Sequence, residues 1–401
     1  MVSFLPFPGY RPRLTSNESV KGRISPPYDV ISSEYLKTLQ SNENNITNLT
    51  LKQDCDKRYH ESRKKLDIMI KNESLLQDSD SFYFYQQSFD DHGTVKTRCG
   101  LVGILRTEDY AEGNIIPHEE TFSEIKSDRL NLLRDMEAHL ESIFGIVKGL
   151  SPEIMKDIDC NCHLIYRYVD DQGVEHRYSR ISDKTLTARI TEELKDRKML
   201  IADGHHRYET ARAYAKENPD DEMKQYVLAT IVADDDEGLV IWPTHRLVKA
   251  GDIGEKTALK KISKTMNMTE VPETKMESEL KNHMMALMFK TGKCFLADPK
   301  DPEDDIMMRL DTYVAQQRIL KGIYKSDEGK SKIYYDAELD SVKKKMSAKE
   351  YDVAIIFNNP SLSTIWELCL AGKKMPKKTT FFFPKIWSGF VIYSMCNRTV
   401  Q

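Results

Sequence analysis

The chain has 401 residues, 40% hydrophobic and 30% charged, a balance that supports a buried core and excludes disordered and fibrous classes. Its 59 Lys and Arg nearly cancel its 63 Asp and Glu, for a net charge of −4, so no bulk field recruits a polyanion such as DNA. The length allows two or three domains.

The opening stretch, MVSFLPFPGYRPR, has prolines where a signal peptide needs an unbroken apolar helix. No later run approaches the roughly 20 apolar residues of a membrane span. The expectation is a cytoplasmic protein with no membrane partner. Seven cysteines are scattered along the chain, and only Cys160 and Cys162 are close, without the second pair a structural zinc site wants. Reduced thiols are expected.

From Arg23, RISPPYDVISSEYLKTLQ reads as a short strand, a rigid diproline turn and a helix capped by Ser32 or Ser33. DSFYFYQQSFDDHGTVKTRCGLVGILRTEDY alternates around Asp91-His92-Gly93 and predicts an antiparallel hairpin. SDRLNLLRDMEAHLESIFG follows as a helix, with Leu130, Leu133, Met136 or Glu137, and Leu140 at helical spacing. CHLIYRYVDDQGVEHRYSRI is a second hairpin turning at Asp170 to Gly173. Next come a helix in KTLTARITEELKDR, a strand in KMLIADG, a helix in HRYETARAYAKE, and strands in QYVLATIVADD and GLVIWPTHRLV. This alternation predicts an α/β protein with a mixed α+β sheet. A second α/β section is expected over 251–401, with a hairpin in HMMALMFKTGKCFLAD, a strand and helix in YDVAIIFNNPSLSTIWELCLAG and a last strand in MPKKTTFFFPKIWSGFVIYSM.

The chemistry concentrates where MLIADGHHRYETA passes from strand to helix. Gly204 permits a tight turn, the first helical turn and its dipole favour an anion, Arg207 offers a bidentate fork, and His205 and His206 add donors. This is a phosphate cradle; the competing account is a helix merely capped by Asp203. SPPYDV fixes the carboxylate of Asp29 after two prolines, which suits a general base or an ordinary turn. PHEETFSEIKSDR gathers His118, Glu119, Thr121, Lys126, Asp128 and Arg129, a loop fit for phosphates or a metal unless it is simply solvated. PTHR puts Thr244, His245 and Arg246 at a strand end, where ligands contact open α/β sheets. MPKKTTFFFPK contributes Lys377, Lys378 and Lys385. Walker A, G-x-G-x-x-G, H-E-x-x-H and G-x-S-x-G motifs are absent.

SPPYDV, HEETFSEIKSDRLNLLR, IADGHHRYETARAY, PTHRLV and MPKKTTFFFPKIWSGFVIY, in that order, resemble a widespread microbial family known only as a domain of unknown function, over about residues 5 to 395. The Gly-x-[His/Arg]-Arg element opening a helix further resembles the phosphate-binding motif of the ParB/sulfiredoxin superfamily, which includes free-serine kinases. That resemblance implies a ParB/sulfiredoxin-like catalytic core over 1–250 and a C-terminal section, 251–401, that contributes to or covers the site. It implies transfer from ATP, ADP or pyrophosphate to L-serine, giving O-phosphoserine for cysteine synthesis. Gly204, His205, His206, Arg207, Lys126, Arg129 and Lys378 would bind the donor, with Mg²⁺ held mainly through phosphates. Asp203 and His205 would lie at the transferred group, Asp29 or Glu34 would be the base, and Thr244, His245 and Arg246 would meet the substrate. His205 stands where sulfiredoxin needs cysteine, which argues against sulfinic acid reduction. No arginine-rich box or helix-turn-helix supports DNA binding. Two alternatives stay open: a hydrolase with Zn²⁺ or Mn²⁺ held by His118, Glu119, Asp203, His205, His206 and His245, and a nucleotide-responsive ParB-like regulator.

Overall fold

The 82–106 region folds as its alternation dictates. Strands β2 (Phe82–Asp91) and β3 (Thr94–Arg106) pair antiparallel across a turn in which His92 and Gly93 both take positive φ, 52° and 87°. A computed structural model of the chain describes residues 2–16, 18–51, 58–119, 123–301, 305–329 and 331–396, with backbone alone for 58 and 123–127.

Two compact units emerge. The first takes residues 1–117, 121–240 and 384–401, and the second takes 118–120 and 241–383. The division expected after residue 250 therefore falls after 240, and the last segment rejoins the first unit instead of ending the second.

The first unit is built on a nine-stranded mixed sheet. With β1 (Phe4–Leu5), β4 (Ile115–Pro117), β5 (Ile143–Val147), β6 (His163–Val169), β7 (Glu175–Ile181), β8 (Met199–Asp203) and β9 (Tyr226–Ala233), its order is β4-β8-β5-β9-β3-β2-β7-β6, and β1 pairs with β3. β8 runs parallel to β4 and antiparallel to β5, and β5 is parallel to β9. The central strands β5 and β9 are buried along their whole length, so they read as continuous apolar runs.

Three helices in this unit start at side-chain caps. Ser32 accepts from Tyr35 N–H at the head of α1 (Ser33–Gln40). After α2 (Arg58–Lys71) and α3 (Ser123–Met136), Ser151 caps α4 (Pro152–Asn161) and Asp183 caps α5 (Lys184–Leu194). Apolar residues of α4 and α5 (Ile154, Ile158, Leu186, Ile190) join the core with Tyr208 and Ala211 of α6 (His205–Glu217), whose axis packs along α3.

The second unit has a six-stranded antiparallel sheet. With β10 (His245–Lys249), β11 (Met266–Val271), β12 (Met285–Phe289), β13 (Cys294–Pro299), β14 (Lys332–Asp336) and β15 (Val353–Phe357), the order is β11-β13-β12-β15-β10-β14. Separate apolar clusters line it, one around Val248, Leu287 and Ile355, the other around Leu247, Ala286 and Ile356. The expected mixed α/β class is what the chain adopts. Among the described residues no helix is long and apolar enough to cross a membrane.

Four local expectations need correction. The helix expected through Gly145 stops at Met136, because Glu137 turns to φ 45° and ends it; the next residues, Ala138–His139, form a short strand leading into β5. GLVIWPTHRLV is two strands, since Pro243 cannot donate to a ladder; Val240–Pro243 pairs with β16 (Thr380–Phe383), whereas β10 enters the six-stranded sheet. The strand expected before Pro26 is a single bridge from Ser25 to Ser388. The expected last strand stops before Pro384 for the same lack of an N–H, leaving 384–392 outside any strand.

Candidate active site

β8 carries a run of buried residues, Met199 to Ala202, and then a register shift: Ile201 pairs with Gly145 but Asp203 pairs with the adjacent Phe144. The bulge leaves one residue extra and re-aims Asp203 at the strand's end. Gly204 then takes φ 86° and ψ 28°, the left-handed region, and α6 starts with no side-chain cap. Glycine is required twice over at this position. An L side chain is strained at that φ, and a Cβ would lie 3.0 Å from both Nε and Nη2 of Arg207.

Arg207 folds back over this turn. Its Nη1 donates to the carbonyl of Ser142, the residue before β5, and its Nη2 lies 3.8 Å from Asp203 Oδ1. Lys385 reaches Asp203 Oδ2 at 2.9 Å, and Oδ1 also accepts the Gly204 N–H at 2.7 Å. Deeper along the helix, Tyr208 OH both accepts from the N–H of Glu108 and donates to its carbonyl, each at 2.9 Å, so the first turn is anchored from below.

Burial by itself would push the Asp203 carboxyl up, but the charges of Lys385, Arg207 and His205 overcome it and hold the group well below the usual carboxylate range. Burial pulls the other way on Arg207, where the negative charges of Glu141, Asp203 and Asp29 and the phenol of Tyr28 prevail and keep it firmly cationic. Two cations thus flank one carboxylate held in its ionised form, at the mouth of a helix.

Arg207 also lines a small open cleft of about 50 Å³ with Arg129, Leu133, His139, Glu141 and Thr210. The Arg129 guanidinium stacks over the Tyr28 ring, 4.2 Å from its centroid. Tyr28 and Asp29 belong to the single turn Tyr28–Val30 that follows the two prolines, and Asp29 is exposed.

Of the residues expected from sequence, the first unit holds Asp29, Arg129, Asp203, Gly204, His205, His206 and Arg207, and the charges of Asp29 and Asp203 both act on Arg207. His205 is buried in the first turn of α6, and His206 is half-buried beside it. Thr121 and the side chain of Lys126 lie outside the described residues. Lys378 is exposed in the second unit at φ 57°.

Thr244, His245 and Arg246 are also in the second unit, all at most 5% exposed. His245 Nδ1 accepts from the Phe357 N–H, and burial pulls this histidine down to about 4. Arg246 donates to the Thr244 carbonyl, and Thr244 Oγ1 has no hydrogen-bond partner among the described residues. His118, 3.0 Å from Thr380 Oγ1, belongs to the second unit with Glu119. Among the described residues no three His, Cys, Asp or Glu side chains are grouped to hold a metal ion.

Sequence reasoning missed Glu141 and Ser142, both inside the run taken for helix. It named Lys385 but preferred Lys378. A break at Pro384, the residue before Lys385, was the available signal.

A family model described as a protein of unknown function (DUF1015) matches residues 4–313. None of the curated proteins matches the sequence. Among solved structures, a free serine kinase in complex with AMP is 16% identical with TM-score 0.37, covering 67% of this chain and 83% of that one. A conserved hypothetical protein from Pyrococcus furiosus is 15% identical with TM-score 0.37, over 69% of this chain and 93% of that one. SbnI from Staphylococcus aureus, truncated at its C-terminus, is 10% identical with TM-score 0.39, over 72% and 85%.

Proposed function

The chain belongs to the DUF1015 family, and from that premise we propose that it is a phosphotransferase that phosphorylates the hydroxyl of free L-serine. The observation that carries this reading is the uncapped start of α6, where Gly204 opens the turn and Arg207 and Lys385 flank an ionised Asp203. Phosphoryl transfer requires in-line placement and neutralisation of oxygen charge more than covalent chemistry. A helix start between two fixed cations meets the second requirement.

In the proposed reaction the serine oxygen attacks the terminal phosphorus of ATP, ADP or pyrophosphate, and the bond to the donor's bridging oxygen breaks. Arg207 and Arg129 hold the donor oxygens, and His205, His206 and Gly204 shape the turn that receives them. The serine proton goes to a carboxylate. Asp203 is a poor acceptor, since its oxygens are engaged by Gly204 and Lys385 and its pKa is depressed. Asp29, exposed beside Arg207's field, is the better base, with Glu34 on α1 behind it. Lys126, in the same unit, remains a further candidate for the donor.

The donor set suits Mg²⁺, an ion that keeps waters and bridges phosphates with few carboxylates. Glu141 would hold it, as Asp203 is already paired and Asp29 is the base. Bound there, it would neutralise charge on the donor's oxygens.

The test is incubation with L-serine and Mg²⁺ and, separately, ATP, ADP or pyrophosphate, with O-phosphoserine as the readout. No product with any donor, together with an Arg207→Ala variant indistinguishable from wild type in donor binding, defeats the proposal.

A further inference from the structure

Arg98, on β3, is 1% exposed. Its Nη2 donates to Gln87 Oε1 and to the Pro384 carbonyl, its guanidinium lies 4.9 Å from the centroid of the Phe144 ring, and its Nη1 has no hydrogen-bond partner among the described residues. Among the described residues no carboxylate lies within salt-bridge distance. Burial pulls this arginine down to about 10, the mark of a charge kept out of water without a contacting counter-ion. An apolar side chain of similar volume would avoid that cost, so this arginine's place here points to something other than stability.

Gln87 supplies the rest of the arrangement. It sits directly opposite Arg98 in the hairpin register, is also 1% exposed, and donates from Nε2 to the Lys385 carbonyl at 2.9 Å. Two neighbouring carbonyls, of Pro384 and Lys385, are thereby gripped by one cross-strand pair. This matters because Pro384 has no N–H and the segment lies in no strand. These two side chains grip the backbone at Pro384 and Lys385, and that backbone puts Nζ 2.9 Å from Asp203.

We propose that Gln87 and Arg98 are positioning residues for Lys385, and that Lys385 is a donor-phosphate ligand whose reach to the α6 start depends on this clamp. The inference rests on the phosphoryl-transfer reading of the Asp203 site. Asp203 holds the ammonium in place at 2.9 Å, and the clamp keeps the backbone from drifting away from it.

A double-mutant cycle read by calorimetric binding of pyrophosphate with Mg²⁺, and in parallel ADP with Mg²⁺, tests it. Gln87→Glu still offers Arg98 an acceptor but removes the donor to the Lys385 carbonyl. Lys385→Ala is expected to weaken binding about tenfold or more, as for one charge-assisted hydrogen bond. Gln87→Glu alone should weaken it severalfold with its thermal midpoint near wild type, and the double variant should bind no worse than Lys385→Ala. Gln87→Met, close in volume, is the second variant should the first not fold. Gln87 variants that bind as wild type does, effects that multiply in the double variant, or a wild-type protein that binds neither ligand would each overturn the inference. Coupled binding without any O-phosphoserine would instead sink the serine-kinase reading and leave the clamp standing.

Discussion

Each unit sets an arginine and an aspartate largely out of water, and the two pairs end in opposite electrostatic states. In the first, Asp203 touches Lys385 at 2.9 Å with Arg207 at 3.8 Å, and contact with two cations defeats the effect of burial. In the second, Arg246 is sandwiched between the rings of Tyr335 and Phe357 and bonded to main-chain carbonyls, and Asp311 accepts only the Thr312 N–H among the bonds seen for it. The two feel each other's charge, yet burial dominates both: Asp311 is pushed up to about 7 and Arg246 down to about 10. Contact distance, more than the presence of opposite charges, decides whether a buried carboxylate stays ionised.

The largest expected effect is on the first pair's chemistry. Arg207→Ala should lower kcat/KM for phosphoserine formation by about 10²-fold or more, in the range of losing one fixed charge-stabilising group; an assay within a few fold of wild type breaks the assignment. Stability then separates the two aspartates. The depressed Asp203 contributes stability above the unfolded carboxylate value near 4, and this is lost as pH falls through and below it. Asp203→Asn should therefore cost about 2 kcal/mol at pH 7 in denaturant unfolding, with the gap closing in acid.

Asp311 has the opposite sign. The folded chain holds its proton more tightly than the unfolded chain does, so its destabilisation is absent below about pH 4 and complete above about pH 7. Asp311→Asn should raise stability by about 1–2 kcal/mol at pH 8 and leave it unchanged at pH 4. Equal effects of the two Asn variants at both pH values would abolish the contrast. The smallest effect sharpens it: Gly204→Ala should cost about 1 kcal/mol for its φ alone, and it should also weaken donor binding, because the new methyl presses on Arg207.

Hairpins and capped helices were legible from local signals. His92-Gly93 between alternating strands, Ser32 before α1 and Asp183 before α5 each act within a few residues, where chain order alone sets the geometry. The same holds for the core of the site: Asp203, Gly204 and Arg207 lie within five residues, and a strand passing through glycine into a helix declares its own turn.

What failed was non-local. Glu137 ends a helix whose apolar spacing continues past it, so Glu141 and Ser142 looked helical although they lead into β5 and face Arg207's end of the site. Lys385 and Lys378 are equivalent as residue types, and only the fold separates them, by carrying 384–401 back into the first unit and gripping its carbonyls from Gln87 and Arg98. The sequence by itself determined the turn that can receive an anion, because that turn is made of adjacent residues. Which distant cation flanks it, and whether each aspartate keeps or sheds its proton, only the tertiary structure decided, since burial and contact distance are properties of packing.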